Sequence, residues 1–391
     1  MVSPDALRYE WITDSERFFA LREPWDALGA TAIETVFLTH AWLRCWLQEL
    51  APDAQLHLLT AWDGQQLVGA LPLCGRPDDG RGRRWGFMGS GTLTPNHLDV
   101  IALPAVRAQV TEQFLRMLAE VRSQYDVLEF DKLPEDTETA GLVESAFADH
   151  ALAVARETAA ICPYSDLPSS MEAYMATRSH RVRRRVKQKY RRLGECCGPI
   201  TFTLAQTPDE ALEALSELIR LHQARWEARG YPGAFADPAV VRFHEALVVA
   251  ALHDGYARLH TLRERTRTVA VAYDFRVGHS MQAYLDSFDP DFYELSPGVL
   301  IRYCVIENAI ESGATRFDYL EGDEPHKADW CDERREDLRV TVFSRTPAGA
   351  LARARSLAQT AAIDAARKWV PAETRAEVLK RLAQLKDKSA E

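Results

Sequence analysis

One stretch, Ser280 to Trp330, limits what this chain can fold into: SMQAYLDSFDPDFYELSPGVLIRYCVIENAIESGATRFDYLEGDEPHKADW. Met281 to Phe288 reads as a strand, aromatic and apolar with no Gly or Pro until Pro290. Ser296, Pro297 and Gly298 then supply an N-cap hydroxyl, a proline whose missing N–H costs nothing in a first turn, and a glycine that lets backbone approach a ligand. Val299, Tyr303, Ile306 and Ile310 recur at helical spacing, with Asn308 and Glu311 off that stripe, until Gly313 stops the helix. Arg316 to Leu320 reads as a second strand, and a segment crowded with ionisable side chains follows it. Strand, glycine-bearing turn, helix and strand form a βαβ unit, and its helix N-terminus is a natural seat for a phosphate. Neither GxGxxG nor GxxxxGK[ST] occurs, so the spacing is that of neither familiar nucleotide motif.

The text YELSPGVLIRY followed by RFDYLEGDEPHKADW resembles the signature region of the acyltransferase domain in CelD-type, cellulose-biosynthesis-associated proteins of the GNAT superfamily. That domain is similar to the Fem peptidyltransferases, which carry two GNAT-like halves in one chain. An ordinary βαβ crossover with a surface charge cluster would explain the periodicity but not the combined SPG and DxxxGDEPxK spacing. The resemblance implies attack of a nucleophile, usually a primary amine, on an activated acyl carbonyl. It implies acyl-CoA as co-substrate and no permanently bound cofactor.

At 391 residues the chain suggests two domains. A hydrophobic share of 47% with 27% charged residues is that of a soluble globular protein. No apolar run reaches membrane-span length and MVSPDALRYEW has no signal-peptide core, which reads against export. The seven cysteines, Cys45, Cys74, Cys162, Cys196, Cys197, Cys304 and Cys331, are scattered, with no CxxC pair and no HExxH. Neither a structural zinc site nor a zincin is indicated, and a reduced cytoplasm fits best.

The order of elements is used twice. Leu7 to Ile12 reads as a strand, Ser15 to Leu28 and His40 to Leu50 as helices, and Gln55 to Trp62 with Leu67 to Leu73 as a hairpin turning at Asp63-Gly64. A strand at His97 to Leu103, a helix at Val106 to Ser123 and a strand at Val127 to Leu133 complete the first set. In the second, Pro199 to Ala205 is a strand, Pro208 to Ala228 and Pro238 to His253 are helices, and Arg258 to Arg263 with Thr268 to Val277 is a hairpin leading into the Ser280 unit. VLEFDKLPED echoes TRFDYLEGDE. The fold expected is α/β, a mixed sheet with flanking helices, as a tandem duplicated GNAT-like acyltransferase. The expected domains are an acceptor-side half at 1–160, a donor-side half at 161–346 and a helical tail at 347–391, the tail two helices broken at Pro371. The first copy has no glycine at the turn Ala102 to Ala105, so close approach by a pyrophosphate is harder there.

Between the halves, residues 178–193 read RSHRVRRRVKQKYRRL. Val182, Val186, Tyr190 and Leu193 give an apolar seam. Arg178, Arg181, Arg185, Lys189 and Arg192 form a parallel basic stripe, with Arg183, Arg184, Lys187 and Arg191 beside it and no acid among them. Like charges this dense call for an offsetting anion or acidic neighbour. Coenzyme phosphates, an anionic acceptor, a tRNA or an anionic membrane surface are the candidate partners.

Direct acyl transfer needs no enzyme nucleophile. It needs a base for the attacking ammonium, donors for the developing oxyanion, and a group that protonates or shields the leaving thiolate. Glu321 and Asp323, among the carboxylates Asp318, Glu321, Asp323 and Glu324 at a strand's C-terminal end, are the first candidates for the base, and Asp286 is a further one. Lys327 is where sequences of the resembled family carry a lysine, and it could neutralise a phosphate, polarise the carbonyl or pair with Asp323 or Glu324. His326 stands where such sequences often have tyrosine; it, Tyr293 or Tyr319 could protonate the leaving group. The amides of Asp286 to Phe288 become oxyanion donors if that strand splays. The donor is assigned to Phe288, Ser296, Pro297, Gly298, Val299 and Arg302, and the substrate to Arg181, Arg185, Tyr284, Asp318 and Trp330, the last more a packing residue or platform than a chemical one. Asn96, His97 and Asp99 in the first half, and Arg225, Trp226 and Arg229 in the second, are weaker acceptor candidates. The leading function is N-acyl transfer, with acetyl as the expected group, from acyl-CoA to an amine of a sugar, peptide or cell-envelope precursor. Fem-like transfer from aminoacyl-tRNA and a non-catalytic binding scaffold are the alternatives.

Overall fold

In the computed structural model the described residues are 7–75, 82–91, 93–196, 199–322, 324 and 327–369. In chain order the elements are β1 (Arg8–Ile12), α1 (Ser15–Phe19), α2 (Arg22–Ala32), α3 (His40–Glu49), β2 (Gln55–Leu56), β3 (Leu58–Asp63), β4 (Gln66–Leu71), β5 (Leu73–Gly75), β6 (Arg84–Phe87), β7 (Ile101–Ala102), α4 (Arg107–Glu120), β8 (Val127–Pro134), α5 (Thr139–Phe147) and β9 (Ala153–Asp166). They continue with α6 (Met171–Thr177), α7 (His180–Cys196), β10 (Ile200–Leu204), α8 (Pro208–Glu227), α9 (Pro238–His253), β11 (Ala257–Glu264), β12 (Arg267–Val277), β13 (Ser280–Phe288), α10 (Pro297–Glu311), β14 (Arg316–Asp318), β15 (Glu333–Phe343) and α11 (Pro347–Trp369). None of the described helices is long and apolar enough to cross a membrane.

The chain divides into two compact units: residues 1–32, 53–159 and 337–391, and residues 33–52 and 160–336. The expected halves were continuous in sequence; these units are not. Residues 33–52 join the second unit because their side chains are buried there. Trp42, fully buried, meets Phe37, Phe243, Phe275 and Tyr284 with ring centroids 4.7 to 6.0 Å apart. Gln282, buried on β13, accepts from the Val36 N–H at 3.0 Å and donates to the Glu34 carbonyl at 2.9 Å. Trp42→Ala is therefore expected to cost about 3–5 kcal/mol, read from urea unfolding. A loss below about 1 kcal/mol would show that this segment is not part of the second unit's core.

Within each unit one antiparallel order recurs: β1-β3-β4-β7 in the first and β10-β11-β12-β13 in the second. The β3–β4 turn holds Gly64 at φ +57, as an Asp-Gly hairpin requires. The first unit also pairs β2 with β5, β5 with β6, β6 in parallel with β8, and β8 with β15. The expected strand at His97 to Leu103 is only Ile101–Ala102, since His97 takes φ +59 and breaks extended backbone. Arg76 to Arg81 and the segment beyond Trp369, including Pro371, lie outside the described residues.

In the second unit α8 opens with a capping box. Thr207 Oγ1 accepts from the Glu210 N–H at 3.3 Å, and Glu210 accepts from the Thr207 N–H at 3.4 Å. Asp237 caps α9 by accepting from the Ala239 N–H at 2.8 Å. The single-face stripe expected for α10 is replaced by burial of Leu300, Ile301, Cys304, Val305, Ile306, Ala309 and Ile310, because the helix packs on β11–β13 and also against α6 and α7. Gly313, at φ +79, ends it as expected.

Candidate active site

The site grows out of a parting of strands. β13 and β14 run parallel through three register pairs, ending at Gln282 and Asp318, and β14 stops there while β13 continues to Phe288. The register of β13 against β12 jumps from Asp274↔Ala283 to Tyr273↔Leu285, so Tyr284 is an extra residue, a β-bulge. Beyond it β13 stays paired to β12, and the Asp289 N–H donates to the Val269 carbonyl at 2.9 Å. Alternation along an antiparallel strand then turns the N–H groups of Phe288 and Asp286 to the opposite edge, the edge that β14 has vacated.

α10 begins beside this opening. Ser296 does not cap it as expected: the residue sits in the left-handed region at φ 54, ψ 57, and its hydroxyl makes no cap bond. The Val299 N–H returns to the Ser296 carbonyl at 3.0 Å, and Pro297 occupies the first turn. The first-turn amides thus have no side-chain cap, the condition in which a helix N-terminus favours an anion. A Cβ on Gly298 would lie 3.7 and 3.9 Å from the Phe288 ring, so glycine keeps a narrow space between the turn and the strand.

Asp286 projects from the splayed part of β13, its side chain 41% exposed, and accepts from Arg302 at 2.8 Å. Arg302 is buried, also donates to Asp274 at 3.2 Å, and lies over the rings of Phe317 and Tyr319. Desolvation works against its charge, but Asp274 and Asp286 together prevail and raise its pKa above the arginine norm. Arg302, assigned to the donor from the sequence, is thus turned inward and holds Asp286. Behind it His260, fully buried, meets Asn308 Oδ1 through Nε2 at 3.2 Å.

After β14 the chain turns at Leu320, φ +53, with Asp318 accepting from the Leu320 N–H at 2.8 Å. Asp318 is buried and 3.5 Å from Arg335, which makes it a turn-forming residue instead of an open substrate contact. Lys327 donates to the Tyr319 carbonyl at 3.2 Å and the Glu321 carbonyl at 2.6 Å and pairs with Glu324 at 3.1 Å, so the ion-pair alternative describes it. Glu321 is half-buried on this loop. Asp323 and His326 lie outside the described residues. Of the other acid candidates, Tyr319 is buried while Tyr293 is 68% exposed. Trp330 is buried, and its carbonyl accepts from Tyr174 at 2.5 Å and Ser165 at 2.8 Å, which is packing. Tyr284 lies among Trp42, Phe275 and Tyr273 and is 3.5 Å from His244.

The basic stripe of α7 faces its own unit. Arg178 is buried against Asp332 and Tyr174; Arg181 and Arg185 share Asp329 at 3.0 and 2.7 Å; Lys189 donates to the Glu294 carbonyl at 2.7 Å. Val182 and Val186 are buried, whereas Tyr190 is exposed. The offsetting acids therefore belong to the protein, and Arg181 and Arg185, assigned to substrate, are engaged by Asp329. In the first unit, Asn96 and His97 surround Asp337, with His97 Nδ1 at 2.8 Å, and Asp99 is held by Arg107, Thr139 and the Val100 N–H. Each of these three buried side chains thus has a hydrogen-bond partner within its own unit.

Residues 180–328, which include this splayed strand and uncapped helix N-terminus, match the family described as an acetyltransferase (GNAT) domain. Residues 180–328 thus carry a GNAT-type acetyltransferase domain, which supports an acyltransferase. Its overall fold is similar to that of FemX, with 12% identity over 88% of this chain and 99% of that one and a TM-score of 0.61. It is also similar to the C-terminal DUF2156 domain of a candidate lysylphosphatidylglycerol synthetase from Agrobacterium fabrum, with 12% identity over 87% and 95% of the two chains and a TM-score of 0.52. A conserved protein of unknown function from Bacteroides thetaiotaomicron aligns over 86% of this chain and all of its own, at 12% identity and a TM-score of 0.53. No curated protein has a significant sequence match.

Proposed function

We propose that the chain transfers an acyl group from acyl-CoA to a primary amine of a sugar, peptide or envelope precursor. The observation that carries this reading is the opening between β13 and β14 beside the uncapped first turn of α10. The pyrophosphate of the donor seats on the amides at Gly298 and after it, and the thioester carbonyl enters the opening toward the N–H groups of Asp286 and Phe288. The acceptor nitrogen loses a proton to Asp286, directly or through water, and attacks the carbonyl carbon. The C–N bond forms, the C–S bond breaks, and the leaving thiolate takes up, directly or through water, the second proton that the acceptor nitrogen gives up on becoming an amide. Burial pushes the thiols of Cys304 and Cys331 up to about 12, which disfavours a thiolate nucleophile there and supports direct transfer.

Thermal melting with coenzyme A tests the donor. At a concentration 100 times Kd, binding stabilises the folded chain by about 2.7 kcal/mol, an upward shift of several degrees. No shift at saturating coenzyme A or acetyl-CoA would end this reading. Transfer from aminoacyl-tRNA is the second reading, favoured by the likeness to FemX and by exposed Arg184, Lys187 and Arg192 on α7. It predicts RNase-sensitive activity and steeply salt-dependent RNA binding. The engagement of Arg178, Arg181, Arg185 and Lys189 within their own unit removes much of the charge that reading relied on.

A further inference from the structure

The end of α8 carries groups that this reaction leaves unused. Arg225 is partly buried, and its Nε is closed to solvent without a hydrogen-bond partner among the described residues. The indole Nε1 of the adjacent Trp226 is in the same condition. Burial pulls the pKa of Arg225 below the arginine norm, opposed by the charge of Asp286 and assisted by that of Arg229. Asp286, however, is already paired with Arg302 at 2.8 Å, so its negative charge is shared.

A run of ring contacts, mostly through the buried core, leads from there to the strand bearing Asp286. Trp226 meets Tyr231 at 6.0 Å and His222 at 5.9 Å; His222 meets Phe235 at 5.2 Å; Phe235 meets His244 at 5.4 Å; and His244 meets Tyr284 at 5.6 Å, two residues before Asp286. Arg229 lies over the Trp226 ring at 5.9 Å. Burial pushes the His244 pKa down to about 3, so this run of rings is neutral at that point. A half-buried guanidinium beside an indole, with the Arg229 guanidinium over the same ring, suits a small planar or tetrahedral oxyanion.

We propose that Arg225 and Trp226 form an acceptor subsite for an oxyanion, so that the acceptor presents its amine to Asp286 and a carboxylate or phosphate group to Arg225. The acceptor class is thereby narrowed from amines in general to amines that carry an acid, such as an amino acid, a peptide end or a phosphorylated amino sugar. This rests on the acyl-transfer reading of the same unit.

The test uses the full chain with inorganic phosphate and acetate as probes, followed by calorimetry in wild type, Arg225→Gln and Arg225→Lys, with coenzyme A titrated in parallel. At least one probe is expected to bind wild type. Arg225→Gln should weaken it by at least about 10-fold, the loss of one charge-assisted hydrogen bond, and Arg225→Lys by less. Coenzyme A affinity should stay within about two-fold, since Arg225 is not part of the α10 turn. A preference for phosphate assigns a phosphorylated acceptor, and a preference for acetate a carboxylate. The proposal is overturned if neither probe binds wild type, if Arg225→Gln binds as tightly, or if coenzyme A displaces the probe, which would make the anion the donor's own. If wild type fails to bind coenzyme A but keeps anion binding that depends on Arg225, the donor reading falls and the subsite stands. Arg225→Gln should melt at or above the wild-type temperature, because it removes a buried charge; a purely structural arginine would give a lower one.

Discussion

Asp286→Asn is expected to lower kcat/KM by about 10²- to 10⁴-fold while leaving coenzyme A affinity near wild type. The substitution keeps the shape of the side chain and an oxygen that can still accept from Arg302, so the fold should hold. What it removes is the negative charge that attracts the ammonium and receives its proton. Arg302 then retains Asp274 at 3.2 Å as its full counter-charge. Glu321→Gln, on the loop tied down by Lys327, is the comparison. If Asp286→Asn turns over normally and Glu321→Gln is inactive, the base belongs to the loop after β14 and not to the splayed strand. Normal turnover in both would leave the proton transfer without either carboxylate, and the proposed mechanism would be wrong at that step.

Gly298→Val should reduce coenzyme A affinity by on the order of 100-fold or more, with little change in melting temperature. Gly298 is outside the positive-φ glycines, so a side chain strains no backbone there, and its Cβ would be at ordinary contact distance, 3.7 Å, from Phe288. The two γ-methyls would fill the space through which a pyrophosphate reaches the first-turn amides. Charge-assisted hydrogen bonds to such amides contribute roughly 1.5–3 kcal/mol each, and losing one or two gives a change of that size. Gly298→Ala, with a single methyl in the same place, should fall between the two. Wild-type affinity in Gly298→Val, measured by calorimetry on the folded variant, would mean that the donor does not use this turn.

Much of the local structure was legible because it depends on neighbours in sequence. The helices read from Pro208 and Pro238 begin at those residues, under caps from Thr207 and Asp237, and Gly313 ends α10. Asp63-Gly64 marked the hairpin for the same reason. The signals that misled were those in which a residue type has two uses. Ser296 looks like a cap but adopts the left-handed region, and of the two expectations for the basic stripe of α7, an outside anion or an acidic neighbour, Asp329 and Asp332 of its own unit fit the second. Arg302 could have been recognised only through Asp274 and Asp286, which lie 28 and 16 residues away on two different strands.

By itself the sequence determined the βαβ unit with its glycine-bearing turn, the repeated order of elements and the set of ionisable residues available for chemistry. Those follow from periodicity, capping and backbone permissiveness, all of which act over a few residues. Tertiary structure alone decided that β13 outruns β14, that residues 33–52 pack into the second unit through Trp42 and Gln282, and that Asp286 stays partly exposed while Arg302 is buried. Each of these depends on where strands end relative to one another and on which charges find partners in the folded interior, and no local spacing encodes either.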